Sequence, residues 1–149
     1  MKKILVLIGL VLLIAYPSWA ADEAGLIKLA KGAVAVERNG QKLSAAAGMP
    51  LFAGDRVVTG ENGSVGITLK DNTLLSAGPK SLLILNAFAF NESTYDGALD
   101  ASLKRGTLSV VSGKLAKHSP AAVKFHTPAA ILGVRGTEFV IDAGSGEKE

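Results

Sequence analysis

Arg135 is the residue of this chain whose setting most strongly suggests chemistry. It lies between Gly133 and Gly136 in HTPAAILGVRGTEFVI, residues 126–141, just before a Phe/Val/Ile run. A permanently charged guanidinium in such a turn can take part in catalysis or grip a phosphate, or it can tie the fold together through its five N–H donors. A catalytic role requires chemical partners elsewhere in the sequence.

Such partners are scarce. The chain has no cysteine, which excludes thiol nucleophiles, cysteine-ligated metals and disulfides. His118 and His126 are the only imidazoles, and their separation across a Ser-Pro turn matches no metal-ligand spacing. The acids stand singly, mostly in predicted turns, so no carboxylate pair for glycosidase chemistry is indicated. We therefore expect no enzyme, no metal site and no cofactor.

Two other features have both a structural and a functional interpretation. Asp55 follows Gly54 and precedes Arg56, a setting typical of a turn aspartate that accepts backbone N–H groups, although a ligand-binding role is also possible. NAFAFNES, residues 86–93, is the most aromatic stretch, with Phe88 and Phe90 on one face. Core packing beneath a sheet explains it more simply than a sugar-stacking platform.

The elements that position these residues are predicted to be short strands. Residues 65–70 and 122–126 alternate apolar and polar side chains with period two, and Asn39-Gly40 is a strong hairpin signal. Further turns are predicted at 60–63, 70–73 and 77–80. Residues 96–106 fit either a short helix or a strand, and periodicity alone does not decide. The fold class is all-β, or very nearly so.

The first twenty residues have the layout of a signal peptide: MKK, an apolar stretch from Ile4 to Tyr16, and small residues Ser18 and Ala20 before a cleavage site. An uncleaved anchor is the alternative. Losing Lys2 and Lys3 removes two positive charges from the net +3 and leaves +1.

We expect one exported domain, residues 21–143, in the periplasm or secreted, with a flexible tail at 144–149 and no stable membrane span after cleavage. The near-neutral charge argues against nucleic acid as a partner. Residues 133–136 fit the GxxG loop of KH RNA-binding domains, but that loop joins two helices, and a strand is predicted here.

In order along the chain, these motifs resemble the FecR-domain family of bacterial envelope proteins. The resemblance runs from GAVAVERNGQKLSAAAGMPLFAGDRVVTGENGSVGITLKDNTLLSAGPKSLLIL through LKRGTLSV to VKFHTPAAILGVRGTEFVI, about residues 26–143. Asn72 stands where the family usually has glycine. The resemblance implies an all-β domain, hence a strand at 96–106. The motif positions are Gly54, Asp55, Thr59, Pro128, Gly133, Arg135, Gly136 and Thr137.

The best-known members of the family are transmembrane sensors of iron-siderophore uptake that hold a cytoplasmic anti-sigma segment. Only MKK precedes the apolar stretch here, so we expect a stand-alone exported version. Arg135 is then expected to be a structural clasp, with Asp55 as its counter-charge. The expected function is a non-enzymatic binding or scaffold module engaging an envelope protein or glycan. The alternative is an accessory sensor subunit that signals through a membrane partner, and an enzyme is a third possibility.

Overall fold

The structure, a computed structural model, describes residues 22–134 and 137–145. These residues form twelve strands, one five-residue helix and one short 3-10 helix, which confirms the predicted all-β class. The helix, α1 (Lys114–His118), was not predicted, and the 3-10 helix spans Pro120–Ala122. The strands are β1 (Glu23–Lys31), β2 (Val34–Arg38), β3 (Gln41–Ser44), β4 (Pro50–Phe52), β5 (Arg56–Thr59), β6 (Ser64–Leu69), β7 (Leu74–Ala77), β8 (Leu82–Phe90), β9 (Gly97–Val111), β10 (Val123–His126), β11 (Ile131–Gly133) and β12 (Glu138–Gly144).

The long strand β9 belongs to two sheets and joins them. Its C-terminal half lies in the first sheet, whose order is β4-β1-β6-β7-β9-β12. Its N-terminal half lies in the second sheet, whose order is β3-β2-β5-β8-β9-β10-β11. The pairing of β10 with β9 is parallel, and the other pairings are antiparallel. The strand interpretation of residues 96–106, which the family resemblance implied, is therefore confirmed.

The chain passes from one sheet to the other at Gly106, in the middle of β9. Gly106 has a φ of +85°, and a β-carbon there would overlap the Ser81 side chain. Just before it, the register between β8 and β9 shifts, so that Leu82 faces Arg105 while Leu83 faces Leu103. A glycine is required here because the backbone is both left-handed and in close contact with its neighbour.

The core lies between the inner faces of the two sheets. The alternation predicted at 65–70 is observed in β6, where Val65, Ile67 and Leu69 are buried, and the alternation predicted at 122–126 is observed in β10. The predicted hairpin joins β2 to β3, with Asn39 and Gly40 both at positive φ. The largest fully buried side chains are Phe125, Ile27, Leu51, Leu69, Leu75, Leu83, Leu99, Leu103, Leu108 and Leu115.

The N-terminal leader and its cleavage site fall outside the described residues, so the signal peptide stays a prediction. In the ranges that the structure describes, no helix has the length and apolar character needed to span a membrane. Strand β12 continues to Gly144, one residue beyond the predicted end of the domain.

Candidate functional site

Donors within the protein form hydrogen bonds to both carboxylate oxygens of Asp55. Its side chain is buried, and two nitrogens of the Arg38 guanidinium donate to it: Nε lies 2.8 Å from Oδ1 and Nη2 lies 2.7 Å from Oδ2. The amide of Phe52 also donates to Oδ2, at 2.9 Å. The hydrogen bond to Asp55 raises the pKa of the Arg38 guanidinium above its ordinary value. This arrangement agrees with a structural role for Asp55 and uses acceptors that a ligand would otherwise need.

Gly54, just before β5, and Thr59, at its end, form hydrogen bonds to β8 and to the turn that precedes β8. The amide of Gly54, at a φ of +92°, donates to the carbonyl of Leu85 at 2.6 Å. Thr59 Oγ1 donates to the carbonyl of Gly78 at 2.6 Å and accepts from the amide of Ser81 at 2.8 Å. Gly54 and Thr59 therefore provide hydrogen-bond partners for backbone groups of β8 and of the turn before it.

Three further motif residues, Pro128, Gly133 and Thr137, lie in the described part of the C-terminal segment. Pro128 and Gly133 are exposed, and the exposed Thr137 accepts the amide of Ser112 through its carbonyl at 2.7 Å. Arg135 and Gly136 lie outside the described residues. The clasp and the pairing of Arg135 with Asp55 therefore stay predictions, while the partner that the structure gives Asp55 is Arg38, which the sequence interpretation did not anticipate.

The outer face of the second sheet carries a group of hydrogen-bonded polar side chains, which we term the outer polar cluster: Asn86, Asp100, Ser102 and His126. The amide nitrogen of Asn86 donates to Asp100 Oδ1 at 2.8 Å and to Ser102 Oγ at 2.7 Å. His126 Nε2 lies 3.0 Å from the Asp100 carboxylate. Asn86 reaches both partners because the register shifts between Leu85 and Ala87, a bulge that re-aims the side chain.

Electrostatics in the outer polar cluster centre on Asp100. Partial burial raises the pKa of Asp100, but hydrogen bonds from Asn86 and His126, with the nearby charges of His126 and Lys124, outweigh it and hold the pKa below the ordinary value. His126 lies on the outer face of β10, is half-buried and contacts the Asp100 carboxylate.

The outer polar cluster is not arranged for nucleophilic catalysis. A serine-type triad needs the imidazole between the hydroxyl and the carboxylate, whereas Asn86 occupies that place here and His126 uses Nε2 on Asp100. Within residues 22–134 and 137–145, no group of three or more metal-ligating side chains converges. The arrangement ties β8, β9 and β10 together.

A second group, the hairpin-tip cluster, consists of Phe90, Tyr95, Asp96, Lys114 and His118. It lies where the loop between β8 and β9 meets α1. The Phe90 and Tyr95 rings are nearly parallel with centroids 6.0 Å apart, and His118 meets the Tyr95 ring edge-on at 6.2 Å. Lys114 Nζ lies 5.5 Å from the Tyr95 ring centroid, and His118 Nε2 lies 3.3 Å from Asp96 Oδ1. Aromatic, cationic and carboxylate groups thus share one exposed surface.

The loop that presents Tyr95 is fixed by Asn91. The Asn91 side-chain oxygen accepts the amides of Ser93 and Thr94, and its carbonyl accepts the amide of Tyr95 at 2.7 Å. Tyr95 itself has a φ of +63° and is 41% exposed. Bulky side chains rarely adopt this left-handed conformation, which is normally left to glycine or asparagine.

The sequence interpretation identified only part of this cluster. Phe88 and Phe90 share a face and pack against the core, in agreement with core packing, and Phe90 also stacks on Tyr95. Tyr95, Lys114 and His118 were not recognised as a group. The aromatic richness of residues 86–93 was the available signal, but no short-range pattern links it to a helix some twenty residues later.

Comparison with known proteins agrees with the motif order. Residues 55–149 match the family described as FecR protein. Among solved structures, one described as "Cell surface anchoring domain" shares 36% identity over 42% of this chain and 83% of that chain, with a TM-score of 0.40. That TM-score is too low to support an argument about this chain. No curated protein matches the sequence.

Proposed function

The chain belongs to the FecR protein family, and from this premise we propose that it is a non-enzymatic envelope module that binds a protein or glycan through the hairpin-tip cluster. The family membership supports an envelope association. The signal-peptide layout of the first twenty residues supports a periplasmic or secreted location.

The observation that carries the proposal is the backbone conformation of Tyr95. A tyrosine at a φ of +63° costs on the order of 1–2 kcal/mol relative to a residue suited to that region. Burial of the ring does not explain this cost, because 41% of the residue is exposed. A strained and exposed aromatic side chain on a rigid loop is typical of a binding surface, where aromatic rings provide contact area with little loss of side-chain entropy.

The polar side chains that could carry out catalysis support the same conclusion. The carboxylates of Asp55 and Asp100 are bound by Arg38 and by Asn86 with His126, respectively. Those groups connect strands, whereas the hairpin-tip cluster presents several exposed polar groups around one ring. A protein or glycan ligand would use the ring for stacking and Asp96, Lys114 and His118 for hydrogen bonds.

The family membership also favours a second candidate, an accessory sensor subunit that signals through a membrane partner. In that case the hairpin-tip cluster would be the contact with that partner. Loss of an envelope-dependent transcriptional response in a deletion strain, restored by the wild-type gene but not by Tyr95→Gly, would favour the sensor.

Replacing Tyr95 by glycine separates binding from folding. Tyr95→Gly relieves the backbone strain and loses the ring contacts, so the free energy of unfolding is expected to stay within about 1 kcal/mol of wild type. Binding is expected to fall at least tenfold. The probes are isolated peptidoglycan for the glycan and, for a protein, in vivo photo-crosslinking from the exposed position 94, which leaves position 95 free to carry tyrosine or glycine.

The matched control is Ile131→Ala, which removes an exposed apolar side chain from β11. It should leave both binding and stability close to wild type. Retention of full binding by Tyr95→Gly would refute the hairpin-tip assignment. If Tyr95→Gly lost several kcal/mol of stability, the ring would be part of the fold rather than a ligand contact.

A further inference from the structure

Strand β12 forms an edge of the first sheet. It pairs with β9 from Glu138 opposite Val111 to Gly144 opposite Gly106, and no described strand pairs with its other side. An edge strand presents a row of N–H and C=O groups that can accept a further strand. At seven residues, β12 is long enough for several such hydrogen bonds.

The sequence of β12 gives this edge limited protection, namely two acids and a register shift between Asp142 and Gly144. It reads EFVIDAG, with no proline and no lysine. Its outward face carries Glu138, Val140 and Asp142, while Ile141 is buried in the core. Val140 is 68% exposed, the highest value among the large apolar side chains that the structure describes.

The two carboxylates of this outward face form no ion pair within the described part of the chain. The β9 positions opposite Glu138, Val140 and Asp142 are Val111, Ser109 and Thr107, which carry no charge. Asp142 Oδ1 accepts the amide of Gly144 at 2.8 Å, and no described lysine, arginine or histidine forms an ion pair with either acid.

We propose that the β12 edge binds an extended basic peptide as an added strand. Side chains on one face of a strand recur every second residue, so a partner with the pattern basic-x-apolar-x-basic places its cations opposite Glu138 and Asp142 and its apolar residue opposite Val140. The negative charges of Glu138 and Asp142 disfavour an acidic partner strand and favour a basic one. This interaction does not depend on the hairpin-tip cluster.

The test is the binding of a synthetic peptide, TSKTVTKST, to the purified protein, followed by titration calorimetry and by backbone amide NMR of residues 138–144. We expect saturable binding with shifts confined to β12 and its neighbour β9. The double variant Glu138→Lys/Asp142→Lys should weaken binding at least tenfold and should prefer the acidic peptide TSETVTEST. A peptide N-methylated at alternate residues on its hydrogen-bonding edge should also lose at least tenfold.

The matched control is Asp22→Lys/Glu92→Lys, which makes the same change in net charge at exposed positions outside β12. It should bind the basic peptide within about twofold of wild type, allowing for long-range electrostatics. Absence of binding at millimolar peptide, or equal weakening by both double variants, would overturn the proposal. Dimerisation of the protein alone through β12, abolished by Val140→Lys, would assign the edge to a second copy and would also overturn it. None of these outcomes bears on the Tyr95 experiment.

Discussion

Asp55 and Asp71 are both buried carboxylates in turns, but different donors satisfy them. Asp55 is bound by the two-pronged guanidinium of Arg38, which is 26% exposed at the surface end of β2. Asp71 is fully buried and, among the described contacts, has only neutral donors: the amide and hydroxyl of Thr73 and the amide of Leu115. A buried carboxylate can therefore be stabilised without a cation when enough N–H and O–H groups point at it.

The difference extends to the candidate site. Asp71 accepts from Leu115 in the first turn of α1, and its carbonyl accepts the amide of Lys114 at 2.8 Å. The N-cap residue of α1 is Gly113, which has no side chain that could cap the helix. Asp71 therefore positions the helix that carries Lys114 and His118 of the hairpin-tip cluster, whereas Asp55 holds β2 near β4 and β5 and contacts no residue of that cluster.

The largest effect is expected from Asp71→Ala. It leaves the buried amides of Thr73 and Leu115 without acceptors, and the free energy of unfolding should fall by about 3–5 kcal/mol in urea denaturation. Binding to the hairpin-tip cluster should weaken as well because α1 loses its anchor. Thr73→Val, which removes only the hydroxyl donor, is the control and should cost about 1–2 kcal/mol. An Asp71→Ala protein with near-wild-type stability would contradict the proposed anchoring.

A smaller effect is expected from Arg38→Met, which keeps the apolar stem and removes the charge. The Asp55 carboxylate then retains the Phe52 amide alone, but water can reach it where the guanidinium was partly exposed. We expect a loss of about 2–3 kcal/mol, below the range for a fully buried pair, and unchanged binding at the hairpin tip. Weakened binding in this variant would show that the two regions are coupled after all.

Features set by neighbouring residues could be predicted from the sequence. The Asn39-Gly40 hairpin and the alternation in β6 and β10 follow from local φ preferences and period two. The family's motif order supplied what periodicity did not, namely that residues 96–106 are strand. In this segment β9 passes between two sheets, so its burial pattern follows neither simple alternation nor a helical period.

The remaining features depend on contacts between distant residues. Arg38 and Asp55 are 17 residues apart, and the acceptor for the first turn of α1 lies 44 residues before Leu115. A five-residue helix is too short to show a period, and its start signal is not in its own sequence. Tyr95 at positive φ contradicts local propensity, and such positions are expected at functional sites rather than in regular elements.

The smallest effect on stability is expected from Asn86→Ala. This variant also tests directly whether a neutral donor lowers the pKa of a carboxylate. Asp100 has a lowered pKa in the folded protein, so its contacts stabilise the fold above the ordinary carboxyl range, and this contribution is lost as the pH falls through the lowered pKa. Removing the Asn86 amide should raise the Asp100 pKa towards its ordinary value in a carboxyl-detected NMR titration. Ser102→Ala, which leaves the Asn86–Asp100 bond in place, should not change it. An unchanged pKa of Asp100 in Asn86→Ala would instead assign the lowering to the cationic side chains of His126 and Lys124 rather than to a neutral donor.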